Sequence, residues 1–134
     1  MGGPDMLHAS RRCRQLLLEA LPFVVLVVAV ASLWRHNLIL TVLMLIQFAV
    51  VLGVWHDTTD LSFLLVIGGM GSLAEAVFVR SGAWQYANPS FLGIPMWFPF
   101  AFGTAGLCGG RMARTIAAIL GDETASQAIS GPAS

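Results

Sequence analysis

No lysine occurs among the 134 residues, and charged side chains make up only 10% of them, against about 25% in soluble proteins. The seven basic residues are therefore all arginine, and seven acids cancel them. A formal net charge of zero, with no basic stripe, argues against nucleic acid as a partner. Cysteine is nearly absent too: Cys13 and Cys108 make neither a disulfide scaffold nor a CxxC redox motif. Beside the arginine clusters they read as ordinary thiols on the reducing side of a membrane. The three histidines, His8, His36 and His56, all lie outside the apolar runs. A histidine pair for haem and a serine triad are thus not expected within a span, a Walker lysine is missing, and no cofactor is implied.

What is plentiful is apolar surface. Hydrophobic residues make up 57% of the chain, above the about 45–50% of soluble domains, and the mean hydropathy is +0.79. A helix needs about 20 mostly apolar residues to cross about 30 Å of hydrocarbon. Four segments come near that length: 16–34, 37–55, 61–79 and 91–110. Only Arg35 and His36 separate the first two, which must form a tight hairpin, and the turn 56–60 joins the second to the third. The longest loop, 80–90, contains Gly82, Trp84, Tyr86 and Pro89. The expected fold is all-α: a polytopic four-transmembrane-helix bundle over 16–110, preceded by a basic segment, 1–15.

Arginine placement orients it. Arg11, Arg12, Arg14, Arg111 and Arg114 fall on one side and Arg35 and Arg80 on the other, which predicts both termini in the cytoplasm. Trp34, Trp55 and Trp84 fall at or just beyond helix ends, where an indole prefers the interface. An all-arginine inner face and short loops fit a bacterial inner membrane. A signal peptide cleaved near Ala29-Val30-Ala31 is disfavoured, because the next apolar run begins almost at once. Myristoylation is disfavoured as well, since Met6 stands where the motif wants Ser or Thr. After Gly109-Gly110, segment 111–120 carries Met112, Ile116 and Ile119 on one side and is expected to lie along the inner surface, with Arg111 and Arg114 towards anionic headgroups. The small, polar residues 121–134 are expected to be a disordered tail.

Glu75 stands out chemically, because a carboxylate within a span costs a few kcal/mol and needs a partner or a wet cavity. Gly68, Gly71, Ser72 and Glu75 follow i, i+3, i+4, i+7 spacing, so three small residues and the acid share one helix face. A neighbouring helix can approach such a face closely. Glu75 lies about 6 Å below the outer boundary at Val79, within reach of Arg35, Arg80 or an indole N–H. A structural pairing and a catalytic, proton or ligand role both remain open for it. The fourth segment opens with Pro95 and Pro99, which predict a kink near its outer end, while Gly103, Gly106 and Gly110, and also Ala105 with Gly109, are expected to allow close packing. Trp84, Tyr86, Trp97 and Pro99 are the candidate ligand-binding residues beside Glu75, unless the aromatics form only an interfacial belt. His56, Asp57 and Asp60 make no specific metal signature and read as turn residues, with Thr59 or Asp60 capping the third helix. Gln47 is expected to hydrogen-bond across the bundle, and Glu19 to lie near Arg14 at the inner interface.

The pattern Glu75-x6-Gly82-x-Trp84-x-Tyr86 followed by Gly93-x-Pro95-x-Trp97 resembles one in polytopic carotenoid-biosynthesis membrane proteins, the membrane lycopene cyclases and bacterioruberin-precursor hydratases. It covers about a quarter of the chain. The resemblance implies a polyene or isoprenoid substrate within the bundle, with Glu75 as the acid that protonates a carbon–carbon double bond. Those enzymes have more spans and usually more embedded acids, so this chain would need a second copy to enclose such a substrate. The Gly93-Ile94-Pro95-x-Trp97 helix start is similar also to that of small membrane protein families with no assigned activity.

Three functions are compatible with these features. One is a structural or accessory membrane subunit in a homodimer or larger complex, with membrane lipids as its other partners. Another is a lipid- or isoprenoid-binding protein or enzyme using Glu75 and the outer aromatics. The third is a small dimeric transporter with Glu75 facing a cavity.

Overall fold

The computed structural model describes residues 3–129, with side chains described from 10 to 121. Among these the chain is helical throughout its regular structure, in the order α1 (Gly3–Leu33), α2 (Asn37–Val54), α3 (Thr58–Arg80) and α4 (Phe98–Ile129). Ser10–Leu33, within α1, and the whole of α2 and α3 are long and apolar enough to cross a membrane. Their outer faces are covered with apolar side chains: Leu17 is 71% exposed, Leu38 76% and Leu65 69%. Burying a leucine gains about 1.5–3 kcal/mol, so a surface of this kind belongs in lipid or against a partner rather than in water.

The helices alternate in direction, which gives the bundle two unlike ends. At the loop end lie the α1–α2 turn and the long connection 81–97; at the other, which we call the arginine end, lie Arg111, Arg114 and the α2–α3 turn. The long connection is fastened to the α1–α2 turn. Asn88 Nδ2 donates to the carbonyls of Trp34 and Arg35, and Asn37 Nδ2 donates to Ser90 Oγ at 2.9 Å.

α4 is the hub, packing against each of the other three helices. Among the described residues it is the one helix with no stretch apolar enough to count as a span, and glycines explain how it fits. A Cβ on Gly106 would meet the Ile67 side chain at 2.5 Å and the Phe63 carbonyl at 2.8 Å, and one on Gly110 would meet the Phe63 ring at 2.6 Å. Conversely, the Phe102 ring fills the notch at Gly71 on α3. The two helices thus run antiparallel with large side chains set into glycine notches, and Gly68, Gly71 and Gly103 serve the close approach expected of them. Gly109 does not: it is exposed, with nothing within 4 Å of its would-be Cβ.

The fourth helix begins at Phe98, not at 91. Residues 91–94 form a tight turn in which Leu92 and Gly93 both have positive φ, 54° and 84°, as in type I′ turns. Pro95 belongs to the stretch after it. Pro99 falls in the first turn of α4, where its missing N–H breaks no helical hydrogen bond, so the expected kink has no helix to bend. At the other end, α4 passes unbroken through Gly109-Gly110 to Ile129. Segment 111–120 therefore continues the helix; of the tail expected to be disordered, 121–129 is helical and 130–134 lie outside the described residues.

α1 contains Pro22 in its interior. Gln47 Nε2 of α2 donates to the Pro22 carbonyl, the cross-bundle hydrogen bond expected of Gln47. Two apolar clusters fill the bundle. Leu26, Leu40, Met44, Ala76, Ile94 and Trp97 meet at the loop end, and Val51, Leu64 and Leu107 lie towards the arginine end.

Candidate functional site

The loop end brings three predicted site residues together. α3 ends in a Schellman motif: the Ala83 N–H donates to the Phe78 carbonyl and that of Gly82 to Val79, with Gly82 at φ 81°. That left-handed residue turns the chain back along α3. Trp84 and Tyr86, two positions apart, then both reach Glu75. Trp84 Nε1 donates to Glu75 Oε1 at 2.6 Å, and the Tyr86 hydroxyl donates to the same oxygen. Rings extend the cluster, Trp84 lying 5.3 Å from Phe78 and Tyr86 5.9 Å from Phe98 between centroids. Burial, and then the adjacent carboxylate, push the Tyr86 phenol above its ordinary value, so Tyr86 remains a donor. Of the partners expected for Glu75 the indole N–H is present, and the Tyr86 hydroxyl is a second donor.

The other two predicted site residues lie elsewhere. Trp97 is buried in the loop-end core, where its ring and that of Tyr86 both lie against Phe98, and its Nε1 has no hydrogen-bond partner. It is a core residue and lines neither the apolar groove at Pro99 nor the polar cavity at the arginine end. Pro99 lines an apolar groove of about 250 Å³ between α2, α3 and α4, with Phe48, Gly68, Ser72 and Gly103. Glu75 lines neither this groove nor the polar cavity at the arginine end.

The arginine end holds a second cluster. Asp57, rather than Thr59 or Asp60, caps α3, its Oδ1 accepting from the Asp60 N–H at 2.8 Å. That backbone donor, with Arg114 nearby, holds the Asp57 carboxyl below its usual range. Asp60 is thereby free for another task. Its side chain is fully buried and accepts from Arg111 Nη1 at 2.5 Å and from Arg114 Nη2. Glu19 of α1, 1% exposed, accepts from Gln15 Nε2 at 3.0 Å and Thr115 Oγ1 at 2.8 Å, with Arg111 Nε at 3.4 Å. Glu19, expected to lie near Arg14, is thus paired with Arg111 of α4. Arg111 also stacks over Trp55 at 5.0 Å. Arg111 thus links α1, α3 and the end of α2 to α4.

Sequence reasoning identified each of these charges but not their association. It reads Arg111 and Arg114 as surface residues, whereas α4, continuing as a helix, carries them past the buried acids of α1 and α3. An acid near the start of each of two spans, with two arginines on a third segment, is the signal that was available. Among the described residues no three His, Cys, Asp or Glu gather closely enough to hold a metal ion. Compared with protein family models, curated proteins and solved structures, the chain matches none.

Proposed function

We propose that this chain is a multi-pass integral membrane protein with four spans and cytoplasmic termini, and that it acts as a structural or accessory membrane subunit. The apolar outer faces of α1, α2 and α3 support the membrane location. α4 accompanies α3 from Gly71, opposite Phe102, to Asp60, opposite Arg111 and Arg114. That pairing runs along about 17 Å of α3, roughly half of a hydrocarbon core, and supports reading α4 as the fourth span. Its modest hydropathy suits a helix whose neighbours are protein rather than lipid. Five of the seven arginines gather at one end, which orients that end inwards.

The observation that carries the structural role is the engagement of Glu75. The acid within the third span accepts two hydrogen bonds from the loop that follows it, and so holds that loop against the bundle. A bacterial inner membrane remains the location that the arginine bias and short loops favour.

A second reading, a lipid or isoprenoid site using Glu75, draws on the convergence of Trp84 and Tyr86 upon it. Glu75→Gln separates the two. A structural tie predicts a lower melting temperature with unchanged copurifying lipids and no new phenotype at permissive temperature; a changed lipid complement at unchanged stability would sink the structural reading. Topology is tested with Cys13, which is exposed: a membrane-impermeant maleimide should label it in inverted vesicles and not in right-side-out ones.

A further inference from the structure

In the turn that precedes α4, Ile94, Pro95 and Trp97 are buried, whereas Phe91, Leu92 and Met96 are 72%, 46% and 56% exposed. A fixed backbone displays the exposed three. The Ser90 and Phe91 N–H groups both donate to the Ile94 carbonyl, at 3.0 and 3.2 Å, and the Ile94 N–H donates back to the Phe91 carbonyl at 3.0 Å. Among the described residues Leu92 is the only one besides glycines at positive φ, a conformation that a bulky side chain disfavours. That position of a type I′ turn prefers Asn, Asp or Gly, and a turn made for water would carry one of them. A leucine there, nearly half exposed, serves something outside its own chain.

We propose that this turn is a lipid anchor, with Phe91, Leu92 and Met96 seated among the acyl chains just beneath the headgroups of the leaflet at the loop end. The level of the turn is what selects lipid. A Cβ on Gly93 would meet the Val79 side chain at 2.6 Å, one residue before α3 ends, and Ser90 is bonded to Asn37, the first residue of α2. The turn therefore stands beside the ends of the spans and does not rise beyond them. Exposed apolar side chains occupy the same level on both of those helices, Leu38 on α2 and Val77 and Phe78 on α3, so the turn extends a surface already suited to lipid. Trp34 and Trp84, both partly exposed at this end, have the interfacial placement of indoles. Arg35, stacked over Trp34 at 4.9 Å, and Arg80 are exposed there too, where guanidiniums meet lipid phosphates. The anchor rests on the four-span reading proposed above.

The experiment uses the full chain in nanodiscs of phosphatidylcholine and phosphatidylglycerol. With Cys13→Ser and Cys108→Ala as the parent, nitroxide labels are placed through Phe91→Cys or Met96→Cys, with Val50→Cys in the middle of α2 and His36→Cys in the polar α1–α2 turn as references. Power saturation then compares access of oxygen, which dissolves in lipid, with that of a water-soluble nickel chelate. Labels at 91 and 96 should favour oxygen more than the label at 36 does. Access to the chelate equal to that at 36 would put the turn in water and overturn the proposal. Closure to both reagents would mean that a second copy or another protein covers it, which overturns the proposal as well. A label at 50 open to the chelate would remove the membrane reading itself, and the anchor with it. Leu92→Asn, made in the otherwise native chain, is a second measurement that needs no label. Asparagine suits the positive φ, so a turn in water gains stability from it, whereas a turn in lipid loses an apolar contact and buries an amide. The melting temperature in nanodiscs should fall by a few degrees; a rise or no change overturns the anchor.

Discussion

Gly68 of α3 and Gly103 of α4 stand so close that a Cβ built on the first would meet the Cα of the second at 3.0 Å. Backbone meets backbone there, and on either side of that point side chains sit in glycine notches. The bundle depends on these notches being empty.

Gly106→Ala should therefore be costly, because its methyl would press on the Phe63 carbonyl and the Ile67 Cβ, neither of which can rotate away. A loss of about 1–3 kcal/mol is expected, as for overpacking. Gly109→Ala, three residues on and facing open space, should instead be neutral or stabilising by up to about 1 kcal/mol. Melting temperatures of the two variants in detergent check the contrast; equal losses would mean that α4 packs differently.

Asp60→Ala would remove the buried carboxylate to which Arg111 and Arg114 both donate, leaving them Asp57 Oδ2 at 3.6 and 3.9 Å. Removing one partner of a buried pair costs about 3–5 kcal/mol, and the lower end is expected because the Arg114 side chain is 40% exposed. Asp60→Asn should fall between that variant and the wild type. Chemical denaturation would show it, and a loss below about 0.5 kcal/mol would mean that the pair is solvated.

Asp57 gives a pH signature. Its folded carboxyl titrates below the usual 3.8, so the cap's stability is full above that value and declines as pH falls through the lower, folded one. The melting difference between wild type and Asp57→Ala should narrow at acid pH. A gap that stays constant down to acid unfolding would show that the charge of the cap is immaterial.

Tyr86 is the sole tyrosine, so its ionisation can be followed by absorbance without interference from another. Burial first, and Glu75 second, raise it above the ordinary 10.0. The tie is therefore intact below that value and is lost as pH rises through the folded one. Native protein should form tyrosinate only at higher pH than unfolded protein. Glu75→Gln should bring the midpoint down only part of the way, since burial remains; a normal midpoint in the wild type would refute the tie.

Much of this was legible in the sequence, for reasons that differ by element. α1, α2 and α3 declare themselves because their outward faces are as apolar as their inward ones, so each reads as apolar along its length. The Glu75 partner could be foreseen because an embedded acid needs a donor and Trp84 lay one short turn away. The start of α4 could not be read from apolarity, since residues 91–97 are as apolar as a span. They form a turn that buries Ile94, Pro95 and Trp97 and exposes Phe91, Leu92 and Met96, and the signal lies in Gly93 and the two prolines. The pairing of Asp60 and Glu19 with Arg111 depends on helix register across more than 50 residues. One sequence carries that register only in the spacing of Gly103, Gly106 and Gly110, whose partners are not visible until the helices are docked.

The enclosure of α4 also bears on how the protein is made. On the four-span reading, a helix bearing several glycines and two arginines gains little by leaving an insertion channel for bare lipid. Its apolar solvent is α3, so its entry into the bilayer waits for that companion. In a membrane-insertion assay, residues 98–117 alone should integrate poorly, and should integrate well when α3 precedes them. Gly106→Ile, which would separate the two helices, should abolish that gain while leaving the insertion of α1, α2 and α3 unchanged.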